Sequence, residues 1–255
     1  MTPREALRQR GEAMRARLFG KDAGAPERGE CAPGFGQLVS EAVYGGIWSR
    51  PGLALPDRMI CTLAALGAVQ RLPALRRHVA AALNIGLEPR TIQEILIQIG
   101  IYAGFSASEE ALEAARAVFE ERGLSIPGQP ARDDSLDTLA ARGRELLQDL
   151  HGDRGDQGYA SPDNPVTGAL YPAAIQYGYG EIWFRPGLDR RQRALCAVAG
   201  FTALRLESQI RKFGQSALNV GLARTEVIEA VIQTAPVSGF APALNALAAL
   251  SDVLR

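Results

Sequence analysis

Only two histidines stand in the 255 residues, and one of them is placed to move a proton. His78 follows Leu75 by three residues and precedes Ala82 by four, so it borders the apolar face of a helix. An imidazole titrates near 6.5 when unperturbed and can carry a proton at neutral pH. The same spacing also suits a core-edge histidine with a satisfied hydrogen bond. His151 falls at a helix end near a linker and is expected on the surface. Arg50 and Arg185, each in an R-P-G-L turn, could grip a substrate carboxylate, because guanidinium binds it in a bidentate way. Arg58 and Arg193 open the next helix. Each arginine recurs in the other half of the chain, which fits an ion pair or a loop-to-helix brace equally well. Trp48 and Trp183 suit core anchors, with Trp48 also a candidate pocket wall. Tyr102, replaced by Val237, is a candidate site residue specific to the first half. Glu94 and Gln98 lie four apart on one helical face, as do their counterparts Glu229 and Gln233, and a hydrogen-bond network is expected of them.

These residues are positioned twice. The segment YGGIWSRPGLALPDR at Tyr44–Arg58 returns as YGEIWFRPGLDRRQR at Tyr179–Arg193, an offset of 135 residues. The same offset pairs Cys61 with Cys196, Ala82-Leu83-Asn84 with Ala217-Leu218-Asn219, Glu94 with Glu229 and Gly104-Phe105 with Gly239-Phe240. RGEAMRARLFG at Arg10–Gly20 matches RGRELLQDLHG at Arg142–Gly152 at an offset three residues shorter, which sets His151 opposite Phe19. A whole domain is therefore duplicated. Ser125–Asp134, with two prolines, a glycine and a charge cluster, has linker composition. The expected division is copy one at 1–124, a linker at 125–134 and copy two at 135–255. Ile92, Ile95, Leu96 and Ile99 keep helical spacing behind Pro89, and Leu75, Val79 and Leu83 do so ahead of Gly86. No stretch alternates as a strand would, so an all-α fold of two tandem helical bundles is expected.

Composition narrows the function. Lys+Arg and Asp+Glu both total 28, so no net charge favours nucleic acid or an anionic membrane, and a small-molecule substrate fits better. The N-terminal twenty residues lack the apolar run of a secretory signal, and nothing reaches the length of a membrane span. Cys31, Cys61 and Cys196 are three in number without a CxxC, which supports neither a disulfide framework nor a zinc site. A cytoplasmic protein is the simplest expectation.

Tyr44–Leu53, the stretch L-R-R-H-V-x-x-A-L-N at Leu75–Asn84, I-x-E-I-L-I-Q at Ile92–Gln98 and Y-A-G-F at Tyr102–Phe105 together resemble the carboxymuconolactone decarboxylase family, over almost the entire chain. The nearest branch resembles the gamma-carboxymuconolactone decarboxylases, single-domain proteins that form hexameric rings. Three fused chains would then rebuild the ring as a trimer with pseudo-sixfold symmetry. The related alkyl hydroperoxidase D-like peroxidases carry a CxxC where this chain has Leu72 and Leu75, or Glu207 and Ile210, so dithiol peroxidase chemistry is not expected. Cys61 and Cys196 suit buried structural positions.

The family reaction implied is loss of CO2 from an unsaturated lactone, in aromatic-compound catabolism. The substrate's own carbonyl takes the electrons as a dienolate, so no metal, flavin or pyridoxal cofactor is required. The protein need only hold the carboxylate, stabilise an oxyanion and deliver a proton to carbon. His78 matches the family histidine, and Phe213 takes its position in copy two. The family glutamate is kept as Glu181 in copy two and is Gly46 in copy one. A composite site of His78 with Glu181 is one reading of that exchange, and independent drift is the other. An isomerase, cyclase or lactone-opening enzyme, or a non-catalytic assembly module, would use the same scaffold.

Overall fold

The computed structural model describes residues 2–20, 32–126, 128, 132–152 and 164–255. Cys31 and part of the expected linker lie outside them. Among the described residues the secondary structure is entirely helical, as the sequence implied.

Copy one opens with α1 (Pro3–Phe19), whose start is fixed by a capping box between Thr2 and Glu5. A short α2 (Phe35–Val39) runs into a π-helix over Ser40–Trp48. After the R-P-G-L turn come α3 (Leu55–Ala68), α4 (Leu72–Asn84), α5 (Pro89–Gln98), the single turn α6 (Gly100–Ala103) and α7 (Phe105–Glu121). Proline occupies the first or second position of α3, α4 and α5, where its missing N–H costs nothing. Gly86 ends α4 with φ +90°. There its N–H reaches Leu83 O and the next N–H reaches Ala82 O, a left-handed stop that a side chain would strain.

Copy two repeats the order. α8 (Leu136–His151) leads, capped by Ser135; the short α9 (Tyr171–Ala173) enters a second π-helix over Ala174–Glu181. A turn of 3-10 helix (Ile182–Phe184) precedes α10 (Arg190–Ala203), which is followed by α11 (Glu207–Asn219), α12 (Arg224–Ser238) and α13 (Phe240–Ala249).

In both copies the leading helix packs on the π-helix backbone to backbone. A Cβ on Gly11 would stand 1.9 Å from Ser40 O, and one on Gly45 2.1 Å from Leu7 O. In copy two the same contacts are Gly143 to Ile175 O, 2.2 Å, and Gly180 to Leu139 O, 2.0 Å. Only glycine permits that approach.

The two copies share one hydrophobic core. At its centre α3 packs against α10, with α12 on α3 and α5 on α10. From Asp57 to Ala68 and from Arg193 to Ala203 every residue of this central pair is buried, which explains the unbroken apolar runs behind two arginines. Cys61 and Cys196 lie on it as free, buried thiols, and burial pushes both up, Cys196 to about 12. No thiolate chemistry is supported there.

Candidate functional site

The arginine and glutamate pairs of the sequence meet across the two copies. Arg50 binds Glu229 through Nε and Nη2, at 2.7 to 3.0 Å, and Arg58 donates to Glu229 Oε2 at 2.8 Å, to Gln233 Oε1 at 3.0 Å and to Arg50 O at 2.8 Å. The mirror set joins Arg185 and Arg193 to Glu94 and Gln98. Arg185 Nε donates to Glu94 at 3.1 Å, Arg193 to Gln98 Oε1 at 2.6 Å, to Glu94 Oε2 at 3.1 Å and to Arg185 O at 2.6 Å. Burial would raise the Glu229 pKa, but the hydrogen bonds from Arg50 and Arg58 outweigh it and hold the carboxyl below its usual range. Two of the expected substrate grips, Arg50 and Arg58, thus have a protein carboxylate in the fork, and so does Arg185. The glutamates come from the opposite copy, which spacing along one chain could not reveal.

His78 lies apart from this network. Asn84, at the end of α4, donates to Leu18 O at 2.9 Å and pins α4 to the C-terminus of α1. That bond sets the His78 ring between two aromatic walls. Phe19 meets it edge-on with centroids 5.5 Å apart, and Trp48 of the π-helix stacks at 6.2 Å and 21°. Tyr44, one π-helical turn earlier, meets the edge of Phe19 at 5.9 Å. The His78 Nδ1 sits 2.8 Å from Ala74 O, an atom that can only accept, so Nδ1 carries the proton and Nε2 presents a lone pair. Packing between the rings depresses the His78 pKa to about 4; the Ala74 bond opposes this, and the nearby Arg77 charge reinforces it. At neutral pH the resting imidazole is neutral.

Two cations complete this niche. The Arg15 guanidinium lies over the Tyr44 ring, 5.5 Å from its centroid, with Nη1 donating to Ser40 Oγ at 2.9 Å. Burial raises the Tyr44 pKa, while Arg15 and Arg77 both pull it back. The niche thus gathers a basic nitrogen, a phenol and the Arg15 guanidinium, with the Arg77 charge acting on both His78 and Tyr44. Sequence reasoning missed Phe19, Tyr44, Arg15 and Arg77. The π-helix is the signal that marks the site after the fact, since such helices concentrate where function needs an odd register.

The remaining expectations fall elsewhere. Glu181 lies 3.5 Å from Arg132 Nε, on the π-helix packed against α8. Tyr102 crosses into copy two, where its ring packs on Phe201 at 4.4 Å and Phe213 at 6.3 Å and its hydroxyl accepts from Gln98 at 2.7 Å. His151, expected on the surface, is 2% exposed. It is buried because Asn219 pins α11 to Leu150 O at 2.9 Å, as Asn84 pins α4, which turns the last residue of α8 inward. The described residues hold no cluster of three or more metal-type ligands, and no helix is long and apolar enough to cross a membrane.

Fold and site define a class: tandem all-α bundles, fused about a pseudo-twofold ion network, with a histidine niche walled by a π-helix. The profile of the carboxymuconolactone decarboxylase family matches residues 33–117 and again 168–252, and the chain belongs to that family. It is 35% identical over 91 residues to the 4-carboxymuconolactone decarboxylase of Acinetobacter baylyi, covering 36% of this chain and 68% of that protein. It is also 34% identical over 84 residues to an uncharacterized 15.0 kDa protein of Paracoccus denitrificans, covering 32% of this chain and 62% of that one. A nitrosuccinic acid decarboxylase of Metarhizium robertsii is 29% identical over 76 residues, covering 30% and 53%.

Proposed function

We propose that the protein is a decarboxylase of a small carboxylated lactone or related carbonyl acid, acting at the His78 niche of copy one. The carrying observation is the neutral His78 imidazole, its Nδ1 bonded to Ala74 O and Nε2 left as an acceptor, set against Phe19 and Trp48 beside a Tyr44 ring that Arg15 covers. Copy two has Phe213 for His78, Leu147 for Arg15 and Lys212 for Arg77. Two relatives named as decarboxylases, of 4-carboxymuconolactone and of nitrosuccinic acid, support the reaction class. Both names describe acids whose carboxylate sits near an electron-withdrawing group.

In this reading Arg15 and Arg77 hold the substrate carboxylate, and Trp48 and Phe19 flank the ring. The bound anion reverses the influence that keeps His78 neutral, because an opposite charge within a few ångströms favours the imidazolium. As the C–C bond breaks, CO2 departs and its electron pair moves onto the lactone carbonyl as a dienolate. His78 Nε2–H then protonates carbon. The site needs no cofactor for this, since the carbonyl is the electron sink.

We further infer self-association. Phe105 and Phe240 stand at equivalent positions, 61% and 65% exposed, and Phe35 and Leu170 form a second equivalent pair at 57% and 75%. Large apolar side chains repeated by the pseudo-symmetry suit a ring of three chains. Such a ring would let Glu181 of one chain approach His78 of the next and form the composite site.

Turnover of 4-carboxymuconolactone, followed as CO2 release, tests the activity. Wild type is expected to turn it over and His78→Ala to abolish it. Loss of nothing on His78→Ala would move the chemistry elsewhere. Light scattering tests the ring, for which a monomer at working concentration is the contrary result.

A further inference from the structure

Copy two has kept a histidine in its niche by moving it to the opposite helix. In copy one Phe19 of α1 meets His78 of α4 at 5.5 Å and 85°; in copy two His151 of α8 meets Phe213 of α11 at 5.1 Å and 82°. The third ring is retained, Tyr44 against Phe19 at 5.9 Å and Tyr179 against His151 at 6.0 Å. Three rings keep their places and the imidazole has changed sides; around them Trp48 stacks on His78 in copy one, whereas Phe201 and Tyr102 pack on Phe213 in copy two.

The relocated histidine is wired differently. His151 Nδ1 lies 2.7 Å from Ser216 Oγ, and Ser216 Oγ donates to Lys212 O at 3.0 Å. A hydroxyl has one proton, so Ser216 accepts from Nδ1–H and Nε2 is left as the acceptor. Facing Nε2 at 3.4 Å is the hydroxyl of half-buried Tyr179, on the π-helix. Ser216 is Ala81 in copy one, so only the copy with its histidine on the leading helix carries the serine. A buried polar chain is costly to keep in an apolar niche unless each member is satisfied.

We propose that Tyr179, His151 and Ser216 form a second, proton-abstracting site that shifts the double bond of a neutral β,γ-unsaturated lactone or ketone. Tyr179 is the catalytic base. The C–H bond α to the carbonyl breaks and its proton goes to Tyr179 Oη, while the proton of Tyr179 passes to His151 Nε2. The electron pair delocalises onto the carbonyl as an enolate. Return of a proton to the γ-carbon through Tyr179 completes a 1,3-shift and leaves His151 neutral. Ser216 and His151 are positioning residues that act through Tyr179. A ligand without a carboxylate is favoured because Leu147 replaces the Arg15 of copy one, which leaves Lys212, in the place of Arg77, as the one cation kept from that pair.

The test uses the full chain and α-angelica lactone in D2O. This β,γ-unsaturated lactone has no carboxyl group, so decarboxylation cannot contribute, and CO2 release from 4-carboxymuconolactone scores the other site separately. Deuterium entry at the α-carbon, followed by NMR, is expected about tenfold or more above the buffer rate, with Tyr179→Phe reducing it to that rate. Ser216→Ala, which installs the copy-one residue, and His151→Phe are each expected to lower it about tenfold. Both losses are expected in kcat with KM kept within about twofold, a split that a merely structural residue would not give. Exchange at the buffer rate in wild type, or exchange indifferent to Tyr179→Phe and Ser216→Ala in folded variants, overturns the proposal.

Discussion

The ion network and the ring niches have diverged at very different rates, although both are duplicated. Arg50, Arg58, Glu94 and Gln98 have identical counterparts, and the arginine-to-glutamate and arginine-to-glutamine bonds recur across the pseudo-twofold. The niches have exchanged a histidine, lost an arginine and gained a serine. A buried charge network tolerates no partial change, since removing one partner strands the other in a low dielectric. An aromatic cluster constrains shape, and phenylalanine and histidine fill similar shapes. Duplication thus left copy two free to change its chemistry while the arginines stayed fixed.

That contrast can be broken in several ways. The largest effect is expected at the niche of copy one: His78→Ala should lower kcat by about 10²- to 10⁴-fold, whereas Phe213→Ala should leave CO2 release within about twofold. Steady-state kinetics on both variants checks it, and equal losses would end the distinction between the copies.

Next come the arginines. Arg58→Ala leaves Glu229 with Arg50, and Arg193→Ala leaves Glu94 with Arg185 and Arg90, so each is expected to cost about 2–4 kcal/mol of stability, less than a fully stranded charge. Denaturant titration should give the larger loss for Arg58→Ala, because Glu94 keeps one more arginine. Equal losses would mean that Arg90 adds nothing to the pair. Gly11→Ala and Gly143→Ala form a second matched pair, each forcing a Cβ within about 2 Å of a carbonyl oxygen. Each is expected to cost about 1–3 kcal/mol or more, read as a fall in Tm.

The pH dependence sharpens the role of His78. Its pKa in the free protein is about 4, so the imidazolium required for protonation fades as pH rises above that value. kcat/KM should therefore fall about tenfold per pH unit between about 5 and 7, while the bound carboxylate moves the corresponding limb of kcat to higher pH. A kcat/KM that stays flat over this range would assign the donor role to Tyr44, whose raised pKa keeps it protonated throughout. The smallest effect is expected for Glu181→Gln, a few-fold loss of turnover if a neighbouring chain completes the niche. Unchanged turnover would remove Glu181 from the site.

The sequence by itself determined the duplication, the helical class, the helix start at Pro89 and the glycine stop at Gly86. These follow from local rules: 3.6-residue periodicity, the fixed φ of proline and the freedom of glycine. It also singled out His78, whose type and position were legible without a partner. Tertiary structure alone decided that Arg50 and Arg185 reach glutamates of the opposite copy, that Tyr102 crosses into copy two and that His151 turns inward. Each of these depends on contacts between residues about 90 to 180 apart, or on an asparagine pinning two helix ends together. Spacing along one helix carries no record of which distant helix will face it, so the roles of these side chains became readable only once the two copies were packed.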